Sequence, residues 1–331
     1  MASAGRLVRA LLLFAAVVVA ATAFALTTGY QSLDWSQLQT DETTRTIFFR
    51  LRVPRVVLGL LVGGSLAGVG AALQALFRNP LAEPFTLGVS GGGALGASVA
   101  IALGFGASVA GIPLVFVFAF AGSIAFVGIV YRLASAGTVV MPGTLLLAGV
   151  VLNLIAGAGV LIIQFVTDYT RALQILRWMV GSLDVVGMDL VWRMLIFLVP
   201  GMLLLLATTR DLHLIAMDEE AAAALGVNVR RVERSVYAAS SLIVGVTVAV
   251  AGPIGFVGLI VPHAVRLLFG EDLRIVIPCS VLLGAAFLVM ADTVARSMLG
   301  ASELPVGAIT ALIGGPLFLL LLTRKKRYAA I

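Results

Sequence analysis

The sequence predicts an all-α polytopic membrane protein, and three observations carry that prediction. Of the 331 residues, 61% are hydrophobic and 11% charged, with a mean hydropathy of +1.12, so the chain has too little polar surface to clothe a soluble globule. Apolar segments long enough to cross about 30 Å of hydrocarbon recur along its whole length. Lys and Arg concentrate in alternate connections between those segments, as the positive-inside bias of membrane proteins requires.

The first apolar run, Leu7 to Leu26, follows Arg6 and Arg9. Small residues at Ala21-Thr22-Ala23 could serve as a cleavage site, but the run exceeds the roughly 7 to 15 residues of a signal-peptide core, so a retained first span is expected. Further spans are expected near Val56 to Phe77, Phe85 to Leu103, Pro113 to Val130, Leu145 to Val166, Leu190 to Leu206 and Val236 to Ala251. A short eighth follows at Ile254 to Leu268, then Ile275 to Met298 and Val306 to Leu322. About ten spans thus form one transmembrane domain over residues 1–331, interrupted by a polar loop at 210–234.

Orientation follows from charge. With the N-terminus inside, 14 of the 22 Lys and Arg residues fall on the cytoplasmic side, and the 16 acids divide evenly, so the net charge of +6 lies entirely on that face. The excess of base reflects loop orientation, since no basic helix face interleaved with aromatics suggests nucleic acid. Both termini are expected in the cytoplasm. One cysteine, Cys279, excludes an internal disulfide, and two histidines without a cysteine cluster offer no structural zinc site. Neither cofactor nor resident metal is expected.

The polar loop is the most informative stretch. Between Arg210 and Arg234 it carries nine charged residues around Asp218, Glu219, Glu220, Ala221 and a run of alanines ending at Leu225 and Gly226. Acids favour the positive end of a helix dipole, alanine favours helix, and glycine can take the left-handed conformation that stops one. A short cytoplasmic helix, held between two spans for a soluble partner to dock on, is expected.

Inside the spans the chemistry is sparse. Asn153 and Gln164 are polar but not ionisable, and Asp292 stands four residues before Arg296, spaced to pair on one helix face. An ion-coupled secondary transporter, the main alternative, ordinarily buries carboxylates or histidines mid-membrane. An intramembrane enzyme would need a companion for His263 or Cys279. The glycine-rich run Gly88 to Gly93 is no nucleotide loop, because the only lysines are Lys325 and Lys326. If ATP is used, a partner hydrolyses it. Gly59, Gly63, Gly64, Gly68 and Gly70 suit close helix packing. On the outer side Arg52 and Arg55 defy the charge trend, either snorkelling or offering guanidinium forks to carboxylates of an external partner.

A faint internal echo links Val62 to Gly70, closing at Asn79 to Pro84, with Val244 to Pro253, closing at Gly258 to His263. The offset of five spans would invert the second half relative to the first.

In series, Leu51-Arg52-Val53-Pro54-Arg55, Gln74 to Pro84 with Leu87 to Gly92, the acidic-alanine run, Gly255 to His263, and Ala291 to Arg296 with Glu303 to Gly307 resemble the FecCD-type permeases, from about Arg50 to Lys325. These are membrane subunits of ABC importers for ferric siderophores, haem and cobalamin. The resemblance implies the type II importer fold, a homodimer with the path at its axis, two cytoplasmic ABC ATPase subunits, an extracytoplasmic binding protein and a bacterial plasma membrane. It makes Asp218 to Gly226 the coupling helix, with Asp218, Glu219, Glu220, Ala221, Leu225 and Gly226 as its docking residues. Arg52, Arg55 and Arg296 match arginines that meet binding-protein glutamates. Gly64, Gly68, Asn153, Ala156 and Gln164 are expected along the translocation path. The chain itself is expected to catalyse no covalent chemistry.

Overall fold

The computed structural model describes residues 4–29, 38, 40–105, 108–109, 111–136, 139–140, 142–298 and 303–328. Among these the helices are α1 (Ala4–Thr27), α2 (Glu42–Thr46), α3 (Val53–Leu76), α4 (Val89–Ala102), α5 (Leu114–Ala134), α6 (Pro142–Val166), α7 (Tyr169–Val180), α8 (Asp189–Ala207), α9 (Thr209–Met217), α10 (Glu219–Ala224), α11 (Val229–Ala251), α12 (Val257–Phe269), α13 (Leu273–Met298) and α14 (Val306–Tyr328). Two antiparallel pairings, Ser108–Val109 with Ile112–Pro113 and Ser135–Ala136 with Val139–Val140, flank α5.

Seven helices are long and apolar enough to cross a membrane, and α4, α12 and the Val306–Leu320 part of α14 are shorter apolar helices. Together they occupy the ten expected segments. Three boundaries differ. The third segment breaks, because Pro84–Leu87 forms a 3-10 turn and Gly88 adopts φ 81° before α4 begins. Helix α11 starts at Val229 rather than Val236, capped by the Asn228 side chain on the Arg231 N–H at 3.0 Å. A π-helical stretch, Ile47–Arg52, leads into α3.

Helix α3 is the buried centre. Its glycines allow backbone contact that any side chain would block. A Cβ at Gly63 would lie 2.3 Å from the Gly284 carbonyl oxygen of α13, and one at Gly70 would lie 2.0 Å from that of Gly258 in α12. The second approach is reinforced by polar chemistry. Pro262 has no N–H for the Gly258 carbonyl one turn earlier, and the Gln74 amide of α3 donates to it at 3.1 Å, and to Leu259 O at 3.3 Å. Arg266 in turn donates to the Gln74 side-chain oxygen and, at 3.3 Å, to Ala71 O. A proline defect inside an apolar layer is thereby repaired from the neighbouring helix.

Packing tests the internal echo. Shifting every span by five converts the neighbours α3·α13, α4·α5, α4·α6, α3·α12, α5·α6 and α1·α3 into α11·α5, α12·α13, α12·α14, α11·α4, α13·α14 and α8·α11, and each of these packings is present. The pairing of α1 with α13 finds its counterpart where Phe120 of α5 meets Phe197 of α8, ring centroids 5.4 Å apart. Both short helices, α4 and α12, follow a left-handed residue, Gly88 and Phe256. The sequence alignment of the echo needs one correction. The second elbow is the Gly252–Phe256 stretch, whereas Gly258 to His263 lies within α12.

Sidedness is consistent throughout. Every ion pair among the described residues joins segments that charge counting puts on one side: Arg55 with Asp184, Asp292 and Glu303 outside, Arg78 with Glu219 and His213 with Asp272 inside.

Candidate functional site

At the end that charge counting assigns to the outside lies a cavity of about 400 Å³ whose lining includes Arg52, Arg55, Asp184, Arg296 and Glu303. Arg55, in the first turn of α3, grips Asp292 of α13 with Nε at 3.1 and 3.0 Å from the two carboxylate oxygens and Nη2 at 2.9 Å. Its Nη1 meets Glu303 at 2.6 Å and Asp184 at 3.0 Å. Asp292 is 2% exposed, and an ionised carboxylate so enclosed persists only because cations compensate it. Arg296 adds a more distant contact of 3.7 Å to Asp292 and donates to the Ala25 carbonyl. Arg52 donates to the carbonyls of Leu26 at 3.1 Å and Thr27 at 3.4 Å.

The structure thus brings the three sequence-predicted arginines to one cavity. Arg52 and Arg296 are 6% and 5% exposed, and both tie the end of α1 to its neighbours. Asp292 takes its main partner from α3 and not from Arg296. Sequence spacing could not reveal this, since Arg55 and Asp292 are 237 positions apart. Asp184, between α7 and α8, and Glu303, between α13 and α14, complete the cluster. Three cations face three carboxylates.

At the opposite end stands the expected short helix. Asp218, in extended conformation, caps α10 through Oδ1, which accepts the N–H groups of Glu220 at 2.9 Å and Ala221 at 3.1 Å. The helix closes with paired bonds from Val227 N to Ala222 O at 3.0 Å and Gly226 N to Ala223 O at 2.9 Å, with Gly226 at φ 87°. This is the left-handed closure that glycine serves best. Ala222 is buried beneath the helix, while Glu219, Glu220 and Ala221 are exposed. Met217 and Leu225 flank it at 73% exposure each. Two bare apolar side chains thus flank a capped helix outside the spans.

The five residues expected along a path lie on two helices, Gly64 and Gly68 on α3 and Asn153, Ala156 and Gln164 on α6. Gly64 and Gly68 lie against Val281 of α13. Asn153 of α6 accepts from the Gly91 N–H at 2.9 Å and donates to Phe85 O at 3.0 Å. It thereby serves an N–H in the first turn of α4 that no intrahelical acceptor reaches. Ala156 is buried beside Gly91, and Gln164 contacts the Met179 sulfur at 3.9 Å. The face of α6 left bare is carried by Leu154, Ile155, Leu161 and Ile162. The Gln74–Arg266 clamp went unread, although Pro262 in an apolar helix signals a carbonyl in need of a donor.

The sequence model of the FecCD transport family matches residues 7–324. The chain is 43% identical over 286 residues to the cobalamin import system permease of Halobacterium salinarum, covering 86% of this chain and 76% of that protein. It is 36% identical over 329 residues to the hemin transport system permease of Yersinia pestis, covering 97% and 96%. A solved inward-facing conformation of a metal-chelate type ABC transporter superimposes with a TM-score of 0.81 at 33% identity, over 96% of this chain and 99% of the other.

Proposed function

The chain belongs to the FecCD transport family, and from that premise we propose that it is the permease through which a partner ATPase drives import of a metal chelate of the cobalamin, haem or ferric-siderophore kind. On this reading two copies enclose the path, two ABC ATPase subunits bind the cytoplasmic ends, and a binding protein delivers cargo to the outer cavity. Both termini then lie in the cytoplasm of a bacterial cell. The observation that carries the proposal is α10, capped by Asp218, closed at Gly226 and flanked by bare Met217 and Leu225. An ion-coupled carrier is disfavoured, because Asp292, the one carboxylate fully buried among the described residues, is held by Arg55 and Arg296.

The bare face of α6 suits a second copy and a path at the dimer axis, with Asn153 and Ala156 supporting that wall from behind and Gly64 and Gly68 seating α3 against α13. The alternation between outward and inward openings needs no covalent chemistry from this chain. The permease contributes a wall, an outer landing site and the helix on which nucleotide-driven motion of the ATPase acts.

The experiment is reconstitution with the cognate ATPase in proteoliposomes. A variant lacking Glu219 and Glu220 and carrying Leu225→Asp should insert and fold normally, yet release the ATPase on purification and lose ATP-driven uptake. Full uptake with undiminished co-purification would refute the docking assignment.

A further inference from the structure

Among the described residues three helices end in the same closure, and α4 and α10 use glycine for it, Gly104 and Gly226, whereas α3 does not. At the end of α10 the left-handed residue is Gly226. At the end of α3 the matching bonds run from Asn79 N to Gln74 O at 3.1 Å and from Arg78 N to Ala75 O at 3.2 Å, and the left-handed residue is Arg78, at φ 48°. Glycine fits this position without the steric penalty that a Cβ brings. An arginine held there implies that its side chain is needed.

That side chain crosses to the docking segment. Its Nη2 donates to the Ile215 carbonyl at 2.7 Å and lies 3.8 Å from a Glu219 carboxylate oxygen. Ile215 stands in the last turn of α9, where carbonyls lose their helical partners, and Asp218 has swung to an extended conformation at φ −158°. Glu219 is the first residue of α10. Arg78 therefore grips both sides of the bend at Asp218 that sets the direction of the docking helix.

The outer end of the same helix carries Arg55, bound to Asp292, Asp184 and Glu303. These two arginines mark the ends of α3, which has 24 residues, about 36 Å at 1.5 Å per residue, and its glycine contacts with α12 and α13 leave it little room to bend.

We propose that Arg78 is a positioning residue that couples α3 to the docking helix, so that displacement of one is delivered to the other. The inference rests on the reading of α10 as the ATPase-docking helix. A fork-shaped guanidinium suits the task, since it can serve a carbonyl and a carboxylate at once, whereas an ammonium acts as a point charge.

The test uses the complete complex in proteoliposomes, with uptake and ATP hydrolysis measured on the same sample. Arg78→Gly keeps the closure of α3 and removes only the side chain. It should retain its ATPase, its thermal stability and its basal hydrolysis, while uptake per ATP hydrolysed falls on the order of tenfold, within the range of coupling between sites. Arg78→Lys should recover part of that loss. Wild-type uptake per ATP in Arg78→Gly would overturn the proposal. Loss of the ATPase from Arg78→Gly would also overturn it, because the side chain would then only shape the docking surface. The underlying reading fails separately, if a Leu225→Asp complex keeps both ATPase and uptake whatever Arg78→Gly does.

Discussion

Glu83 stands in the connection between α3 and α4 and accepts the Phe256 N–H at 2.6 Å, across the elbow where the two halves of the chain meet. Burial pushes its carboxyl above the ordinary carboxylate range, and the Phe256 N–H pulls it only partly back. A carboxyl whose pKa is higher folded than unfolded favours the folded state at low pH, and that contribution is lost as pH rises through the folded value. Thermal unfolding of the purified permease should therefore show stability declining as pH climbs out of the acid range. Glu83→Gln keeps an acceptor for Phe256 and should flatten the decline. Glu83→Ala should instead cost about 1 to 3 kcal/mol by leaving that N–H unpaired. An unchanged pH profile in Glu83→Gln would show that another group sets it. The same scale shows where sequence reading stops. Asn153 is visible as a rare polar residue in an apolar span, but its partners Phe85 and Gly91 lie more than sixty positions away, so a helix cap and a pathway residue look alike until the chain is folded.

Between elements, the seam of α3 against α12 and α13 is the most demanding contact. Placing alanine at Gly63 or Gly70 sets a methyl against a backbone carbonyl, which has no flexible end to yield. Each substitution should lower stability by about 1 to 3 kcal/mol, read as a lower unfolding midpoint in detergent. Gly128, in α5 with nothing within 4 Å of a built Cβ, is the control, and Gly128→Ala should be neutral or mildly stabilising. Equal losses at all three sites would mean that the carbonyl contacts do not govern them, since helix propensity alone would make each alanine stabilising. The spans themselves were legible because length and apolarity define them. Glycine spacing announced close packing on α3 but not which helix it met. Helix α7 went unread, since the mixture of arginines, Trp178 and aliphatics in Tyr169–Val180 matches neither a span nor a polar loop. Its cap, Asp168 on the Arg171 N–H at 3.0 Å, was the available signal.

On the scale of the whole molecule, loop charge assigned two sides, and the ion pairs among the described residues join charges assigned to the same side. What charge counting could not supply was the balance within the outer cavity. Asp184 and Glu303 hold the Arg55 Nη1 and so compete with any partner's carboxylate for that edge of the guanidinium. Reversing Arg55 to glutamate would set four carboxylates around one site and would damage α3 and α13 before it reported on docking. The more discriminating change removes the competitors. Glu303 and Asp184 are 44% and 68% exposed at the side chain, so Glu303→Gln with Asp184→Asn leaves the buried Arg55–Asp292 pair intact and frees one guanidinium edge toward solvent. If a binding protein docks through acidic side chains, the double variant should bind it more tightly. The gain should be about 1 kcal/mol or less for an accessible pair, with faster association and steeper salt dependence. The measurement is the affinity of the binding protein for the permease in nanodiscs at low and high salt. Weaker docking would make the two acids themselves the landing groups, and unchanged docking would confine the arginines to holding α1, α3 and α13 together.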